Sequence, residues 1–286
     1  MNSNLPLINY GVPTTLILGD SHVGSNLNPV FIPGSINVAC GAEDISFSYY
    51  KLKKLINAYP SIKTVIMSWS YHQLYIQKGF SNHFLNRYQT ILDNEFYEKK
   101  LTQEKFNYVY LLRYISNRFQ IPLGVSNDIY DYVYYGILNR GSKSPFLGSF
   151  NAVEGNSIDE VYYSGNPQHR HYYRKGKLIT SSPMRKYYLR ECVDVCLEKR
   201  IRLYLINAPV HKSYYAIIPE GVKNEVDSLA ISLENDTTFY MNFSQMSLPD
   251  SYFADYHHLN STGSEYLSKY FNDSIRSDRS GDLYSY

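Results

Sequence analysis

Residues 14–22 read Thr14-Thr15-Leu16-Ile17-Leu18-Gly19-Asp20-Ser21-His22, and this stretch decides the fold. From Thr14 to Leu18 the side chains are β-branched or apolar with no polar alternation, the pattern of a short strand buried on both faces. The run then stops at Gly-Asp-Ser, which marks a sharp turn. Four later segments repeat the pattern: Ser35 to Cys40 (SINVAC), which stops at Gly41, Lys63 to Ser68 (KTVIMS), Arg202 to Asn207 (RLYLIN) and Thr237 to Asn242 (TTFYMN). Strands buried on both faces belong to parallel sheets covered by helices. Helical apolar spacing falls between them, over Ser46 to Tyr59 with Pro60 closing the helix, Met184 to Lys199, and Glu220 to Leu233. A last helix, Ser261 to Ile275, follows the cap signal Asn260-Ser261-Thr262. The predicted fold is therefore α/β, a three-layer α/β/α sandwich of about five parallel strands, formed by residues 1–286 as one domain.

Residues 75–183 interrupt the alternation. Helices are predicted over His83 to Tyr97 and Gln103 to Arg118, followed by a Tyr-, Gly- and Ser-rich stretch that is irregular from Gly141 to Lys177. A structureless loop of that length is improbable inside a compact domain, so the segment reads as a helical insertion or lid. The polar tail, Ser277 to Tyr286, is expected to be disordered.

Composition excludes several classes of function. The formal net charge of +2 leaves no electrostatic footprint for nucleic acid. The amino-terminal residues lack the basic patch and apolar run of a secretory signal, and no apolar run is long enough for a transmembrane helix, so the expected compartment is the cytoplasm. The 3 cysteines form no Cys-x-x-Cys pair, which argues against a disulfide framework or a thiolate metal site. Cys192 and Cys196, four apart on a predicted helix, read as small buried hydrophobes. His169 and His171 have a spacing that suits a metal, but two imidazoles do not make a site, and no metal or cofactor is expected. Gly-rich phosphate loops are absent. The 31 tyrosines are unusual, and a Tyr-rich surface can stack on sugar rings while hydrogen-bonding their hydroxyls.

The chemistry lies at the two ends of the chain. Gly19-Asp20-Ser21-His22 follows the first strand, and Asp255-Tyr256-His257-His258-Leu259-Asn260, with Gly263 beyond it, precedes the last helix. Taken together the two motifs resemble those of the SGNH or GDSL-type hydrolases, a flavodoxin-like family of esterases and acyltransferases. There, a Gly-Asp-Ser motif follows the first strand and Asp-x-x-His precedes the carboxyl-terminal helix. A serine hydroxyl is a weak nucleophile until an imidazole takes its proton, and the imidazole in turn needs a carboxylate to hold its tautomer. The resemblance assigns these roles to Ser21, His258 and Asp255. His257 is a rival base one residue away, Ser21 also suits a helix cap, and Asp20 reads as a turn-shaping residue. The resemblance further implies oxyanion donors from Ser21, Gly41 and the position after the third strand. That last position departs from the family: Ser68-Trp69-Ser70-Tyr71 stands where the family has Gly-x-Asn-Asp, so Ser70 replaces the asparagine. His22 and His72, beside two strand ends, are candidate substrate-binding residues. Asn207 and His211, on the loop after the fourth strand, join them because ligands of parallel α/β sheets bind at that edge.

The expected activity is ester hydrolysis through an acyl-Ser21 intermediate, with an O-acylated, in particular O-acetylated, carbohydrate as the glycan or small-molecule substrate. A carbohydrate O-acyltransferase using the same triad is one alternative. A non-catalytic glycan-binding protein with its oxyanion site degraded at Ser70 is another.

Overall fold

The computed structural model describes residues 12–75, 87–88, 91–103, 108–119, 146–155, 158 and 169–280. At its centre is a five-stranded sheet of β1 (Thr15–Leu18), β2 (Ser35–Asn37), β3 (Thr64–Ser68), β6 (Arg202–Asn207) and β7 (Thr238–Asn242). A one-turn helix α5 (His169–Tyr172) leads into a separate two-stranded hairpin of β4 (Tyr173–Arg174) and β5 (Lys177–Leu178), so the stretch expected to be irregular from Gly141 to Lys177 is regular at its end. The sheet order is β2-β1-β3-β6-β7, and every neighbouring pair is parallel. Leu16 lies between Ile36 and Val65, and Val65 in turn lies opposite Leu203.

The pleat explains why these strands are apolar on both faces. Leu16, Leu18, Val65, Met67, Leu203 and Leu205 point into one core, closed by Leu52 and Leu55 of α2 (Ile45–Ala58), Leu189 and Cys192 of α6 (Pro183–Glu198), and Val222 and Val226 of α8 (Glu220–Ile231). Ile17, Ile66, Tyr204 and Ile206 point the other way, onto Leu267, Phe271 and Ile275 of α9 (Ser261–Ser280). A five-stranded parallel sheet with helices against it is thus the architecture, compatible with a three-layer sandwich. Among the described residues no helix is long and apolar enough to cross a membrane.

The second strand ends at Asn37 rather than Cys40, because Asn37 turns its amide inward. Its Nδ2 donates to Val23 O and Leu27 O, both at 2.9 Å, and its Oδ1 accepts from Ala39 N at 3.0 Å. The chain still runs beside β1, with Val38 N donating to Ile17 O and Cys40 N to Gly19 O. The last helix continues past Ile275 to Ser280, so the start of the expected polar tail is helical; residues 281–286 lie outside the described residues.

Only part of the 75–183 segment is described, and its helices are shifted from expectation. α3 (Asn94–Gln103) begins at Asn94, because Asp93 Oδ1 accepts the Phe96 N–H at 3.0 Å and starts the helix there; α4 spans Tyr108–Phe119. The expected helix from His83 lies partly among residues 76–86, outside the described residues. Residues 146–155 lie against the sheet edge, with Gly148 N donating to Val38 O and Asn151 N to Gly24 O.

Several of the described tyrosines lie inside. Tyr49, Tyr50, Tyr71, Tyr75, Tyr88, Tyr172, Tyr188, Tyr204 and Tyr214 are buried, and rings such as Tyr49 and Tyr188 pack on one another. Tyr49 and Tyr50 of α2 pack against Tyr188 of α6.

Gly19 sets the turn at the end of β1. Its φ of +127° is closed to other residues, and a Cβ there would lie 2.7 Å from Ser68 Cβ. Gly19→Ala is expected to lower stability by at least about 2 kcal/mol, read as a melting point about 4 °C or more below wild type. An unchanged melting curve by circular dichroism would contradict this account of the turn.

Candidate active site

The site forms where the carboxyl ends of β1 and β3 meet. The chain passes from β1 outward to β2 and then returns to β3 on the other side of β1, so the crevice lies at the topological switch point of the sheet.

The floor of this crevice is Asp20, which is 2% exposed. As N-cap of α1 (Ser21–Gly24) it accepts the His22 N–H on Oδ1 at 3.0 Å. The same oxygen accepts the Ser68 hydroxyl at 2.7 Å. Oδ2 faces His72 Nε2 at 3.0 Å and accepts Gln73 Nε2 at 3.1 Å. Burial alone raises a carboxyl pKa, but the hydrogen bond from His72, the adjacent His22 and the Ser68 hydroxyl outweigh it and hold Asp20 well below the usual carboxylate range. An ionised, fully satisfied carboxylate therefore ties the end of β1 to the residues after β3.

Above this floor, Ser21 opens α1. Its Oγ lies 2.8 Å from His258 Nε2, and His258 Nδ1 lies 2.9 Å from Asp255 Oδ2. Asp255 Oδ1 accepts the His258 N–H at 2.8 Å and the His257 N–H at 2.9 Å, so one carboxylate shapes its own loop and orients the imidazole. Burial pushes the Asp255 pKa up, yet the His258 hydrogen bond and the neighbouring imidazoles bring it well below the ordinary value.

Three anchors hold the 255–258 loop in register with Ser21. The buried Asn26, just past α1, accepts the Leu259 N–H at 2.9 Å. His211, which caps α7 (Lys212–Ile217), donates its backbone N–H to Tyr256 O at 2.9 Å while its ring packs on Phe253 and Tyr256. Asn260 accepts the Gly263 N–H at 3.1 Å and so caps α9. Gly263 is required at that point because a Cβ would lie 2.2 Å from Tyr252 O.

Imidazoles dominate the walls. His22 packs 4.6 Å from His72 and 5.6 Å from His257, nearly parallel to the latter. His171 stands 5.5 Å from His72 and hydrogen-bonds Tyr214, whose ring lies 5.7 Å from His257. Burial drives the His22 pKa well below its ordinary value despite the opposing charge of Asp20. It lowers His257 to about 4, with His258 adding to the effect. Both rings are neutral at pH 7.

The structure thus brings together Ser21, Asp255, His258, His22 and His72 among the residues singled out from sequence. Among the described residues the others make no side-chain hydrogen bond to Ser21, Asp255 or His258. Gly41 lies in an exposed turn with no hydrogen bond to the triad among the described residues. Ser70 is buried with its Oγ 3.4 Å from Ser68 Oγ, beneath Asp20. Asn207 pairs with Tyr240 at 3.5 Å, and His211 Nε2 faces Asp250 at 3.3 Å, so neither contacts the triad side chains. Sequence reasoning missed Asn26, Gln73 and Tyr214. Gln73 is next to His72 and was in principle findable, whereas nothing local in the sequence marks Asn26 or Tyr214.

An uncharacterised family matches residues 174–280, a stretch that holds Asp255 and His258 but not Ser21. No curated protein matches the chain.

A histidine whose folded pKa is depressed stabilises the fold fully above its unfolded pKa, about 6.5, and loses that contribution as pH falls through the folded value. His257, at about 4, and His22 both act in this sense. The melting temperature is therefore expected to fall as pH is lowered from about 6.5 to about 4. His257→Gln should make that descent shallower. An identical slope in the two proteins, measured by differential scanning calorimetry, would exclude His257 as a source of acid sensitivity.

Proposed function

We propose that this protein is a serine-dependent ester hydrolase of the SGNH type, with Ser21 as nucleophile, His258 as general base and acid, and Asp255 as the orienting carboxylate. The observation that carries the reading is the unbroken relay Ser21 Oγ to His258 Nε2 at 2.8 Å and His258 Nδ1 to Asp255 Oδ2 at 2.9 Å, assembled from positions 237 residues apart. The flavodoxin-like strand order and the location of the relay at the switch point support the same assignment. His257 lacks the second interaction of a base: its Nδ1 is buried without a hydrogen bond.

In this mechanism Ser21 Oγ attacks the ester carbonyl as His258 Nε2 takes its proton. Asp255 holds the Nδ1–H and stabilises the imidazolium. The developing oxyanion is stabilised by the Ser21 N–H, which as first residue of α1 has no intrahelical acceptor. The tetrahedral intermediate expels the alcohol, which leaves with the proton from His258. Water, deprotonated by His258, then releases the acid from acyl-Ser21. A sugar hydroxyl in place of water makes the same steps an acyl transfer. The walls near Ser21 consist of His22, His72, His257 and, beyond them, Tyr214, rings with polar edges suited to a hydroxylated substrate. An O-acetylated carbohydrate is the proposed substrate class.

Hydrolysis of p-nitrophenyl acetate and intact-mass detection of organophosphonate labelling test the proposal. Ser21→Ala is expected to abolish both, and His258→Ala to reduce activity to background. Asp255→Asn should lower kcat by about 10³–10⁴-fold. His257→Gln should still be labelled at Ser21. Labelling that persists in Ser21→Ala, or a wild-type chain that neither hydrolyses the ester nor takes the label, would overturn the assignment.

A further inference from the structure

Three imidazoles converge beside Ser21, and the proposed hydrolysis needs only one of them. His22, His257 and His258 each offer a nitrogen, and the three nitrogens lie within 4.8 Å of one another. His22 is 3% exposed, yet its Nδ1 has no hydrogen-bond partner, and the same is true of the buried Nδ1 of His257. The Asp255 carboxylate lies 3.9 Å from His257 Nδ1, beyond hydrogen-bond reach; buried polar atoms normally have a hydrogen-bond partner, so two imidazole nitrogens without one in a single cluster point to a ligand that accepts lone pairs. His258 completes the set in a specific way. Its Nδ1 is held by Asp255, which leaves Nε2, facing Ser21 Oγ at 2.8 Å, as the nitrogen a metal can take. A carboxylate behind an imidazole is also how metal-bound histidines are oriented.

We propose that His22, His257 and His258 bind one borderline divalent cation of the zinc class, and that the bound ion takes His258 Nε2 away from Ser21. An all-imidazole donor set suits Zn²⁺, Cu²⁺ or Ni²⁺ and disfavours Mg²⁺ and Ca²⁺, which require oxygen. Zn–N bonds are about 2.0–2.1 Å; the His22 and His257 rings lie nearly parallel, so one of them must tilt to aim its nitrogen at the shared point, and water fills the fourth position. The Ser21–His258 hydrogen bond and the metal bond use the same nitrogen, so the two states exclude each other. Binding stands on the cluster alone; its consequence, reversible blockade of the nucleophile, rests on the hydrolase reading.

The test is calorimetric titration of the metal-free full chain with ZnCl₂ near pH 7, together with the visible absorption of the chain loaded with CoCl₂. One ion per chain is expected, with the intense visible bands of tetrahedral Co²⁺. His22→Gln and His257→Gln should each weaken binding by at least about tenfold, whereas Ser21→Ala, which frees His258 Nε2, should bind as tightly as wild type or more tightly. Absence of saturable binding and of the cobalt bands in the wild-type chain, which requires no variant to fold, would overturn the site. Binding unaffected by both substitutions would also overturn it, by assigning the ion elsewhere on the surface. Phosphonate labelling with and without ZnCl₂ separates the two readings. Labelling slowed by the ion supports both, labelling unaffected by a bound ion overturns the blockade, and no labelling in either condition removes the hydrolase reading while the titration still decides the cation site.

Discussion

A single buried carboxylate organises the centre of this molecule. Asp20 sits at the end of β1 and accepts hydrogen from the His22 backbone, the Ser68 hydroxyl and Gln73, with His72 Nε2 against its second oxygen. An ionised carboxylate cannot be buried without such partners, because its desolvation costs several kcal/mol. Each partner is therefore held in place by the charge. Gly19 permits the approach by removing the side chain that would strike Ser68. The start of α1, and with it Ser21, is fixed relative to the end of β3 before any contact from the other end of the chain is made.

The remaining groups of the site come from the last quarter of the chain, and their placement depends on anchors that do no chemistry. Asn26 receives Leu259, His211 donates to Tyr256, and Asn260 starts α9. These contacts hold the 255–258 loop from three sides. Asp255 then fixes the loop internally by accepting two backbone N–H groups while orienting His258. The alignment of Ser21, His258 and Asp255 is a product of these surroundings.

Electrostatics divides the charged and neutral forms sharply across a few ångströms. Asp20 and Asp255 are held ionised, whereas His22 and His257 are held neutral by burial. The crevice is thus lined by neutral imidazoles above fixed negative charge. Between them His258 faces the Asp255 carboxylate on one side and the Ser21 hydroxyl on the other.

How much of this was legible in the sequence follows from what is local. The apolar runs at Thr14–Leu18, Lys63–Ser68, Arg202–Asn207 and Thr237–Asn242 determined the strands almost to the residue, because a strand buried on both faces has no tolerance for polar alternation. The Gly-Asp-Ser turn and the Asp255/His258 spacing were likewise readable, since each is set by a few neighbouring residues. Local signals failed where side chains reach out of their own segment. Asn37 ended β2 early by turning to Val23 and Leu27, and Asp93 started a helix at Asn94. Only the tertiary structure decided that Asn207, His211 and Ser70 bond to Tyr240, Asp250 and Ser68, that Asn26 holds the opposite end of the chain, and that His22 and His257 meet His258. These relations join residues on different elements, and the order in which strands assemble, β2-β1-β3-β6-β7, creates them where no single segment carries the information.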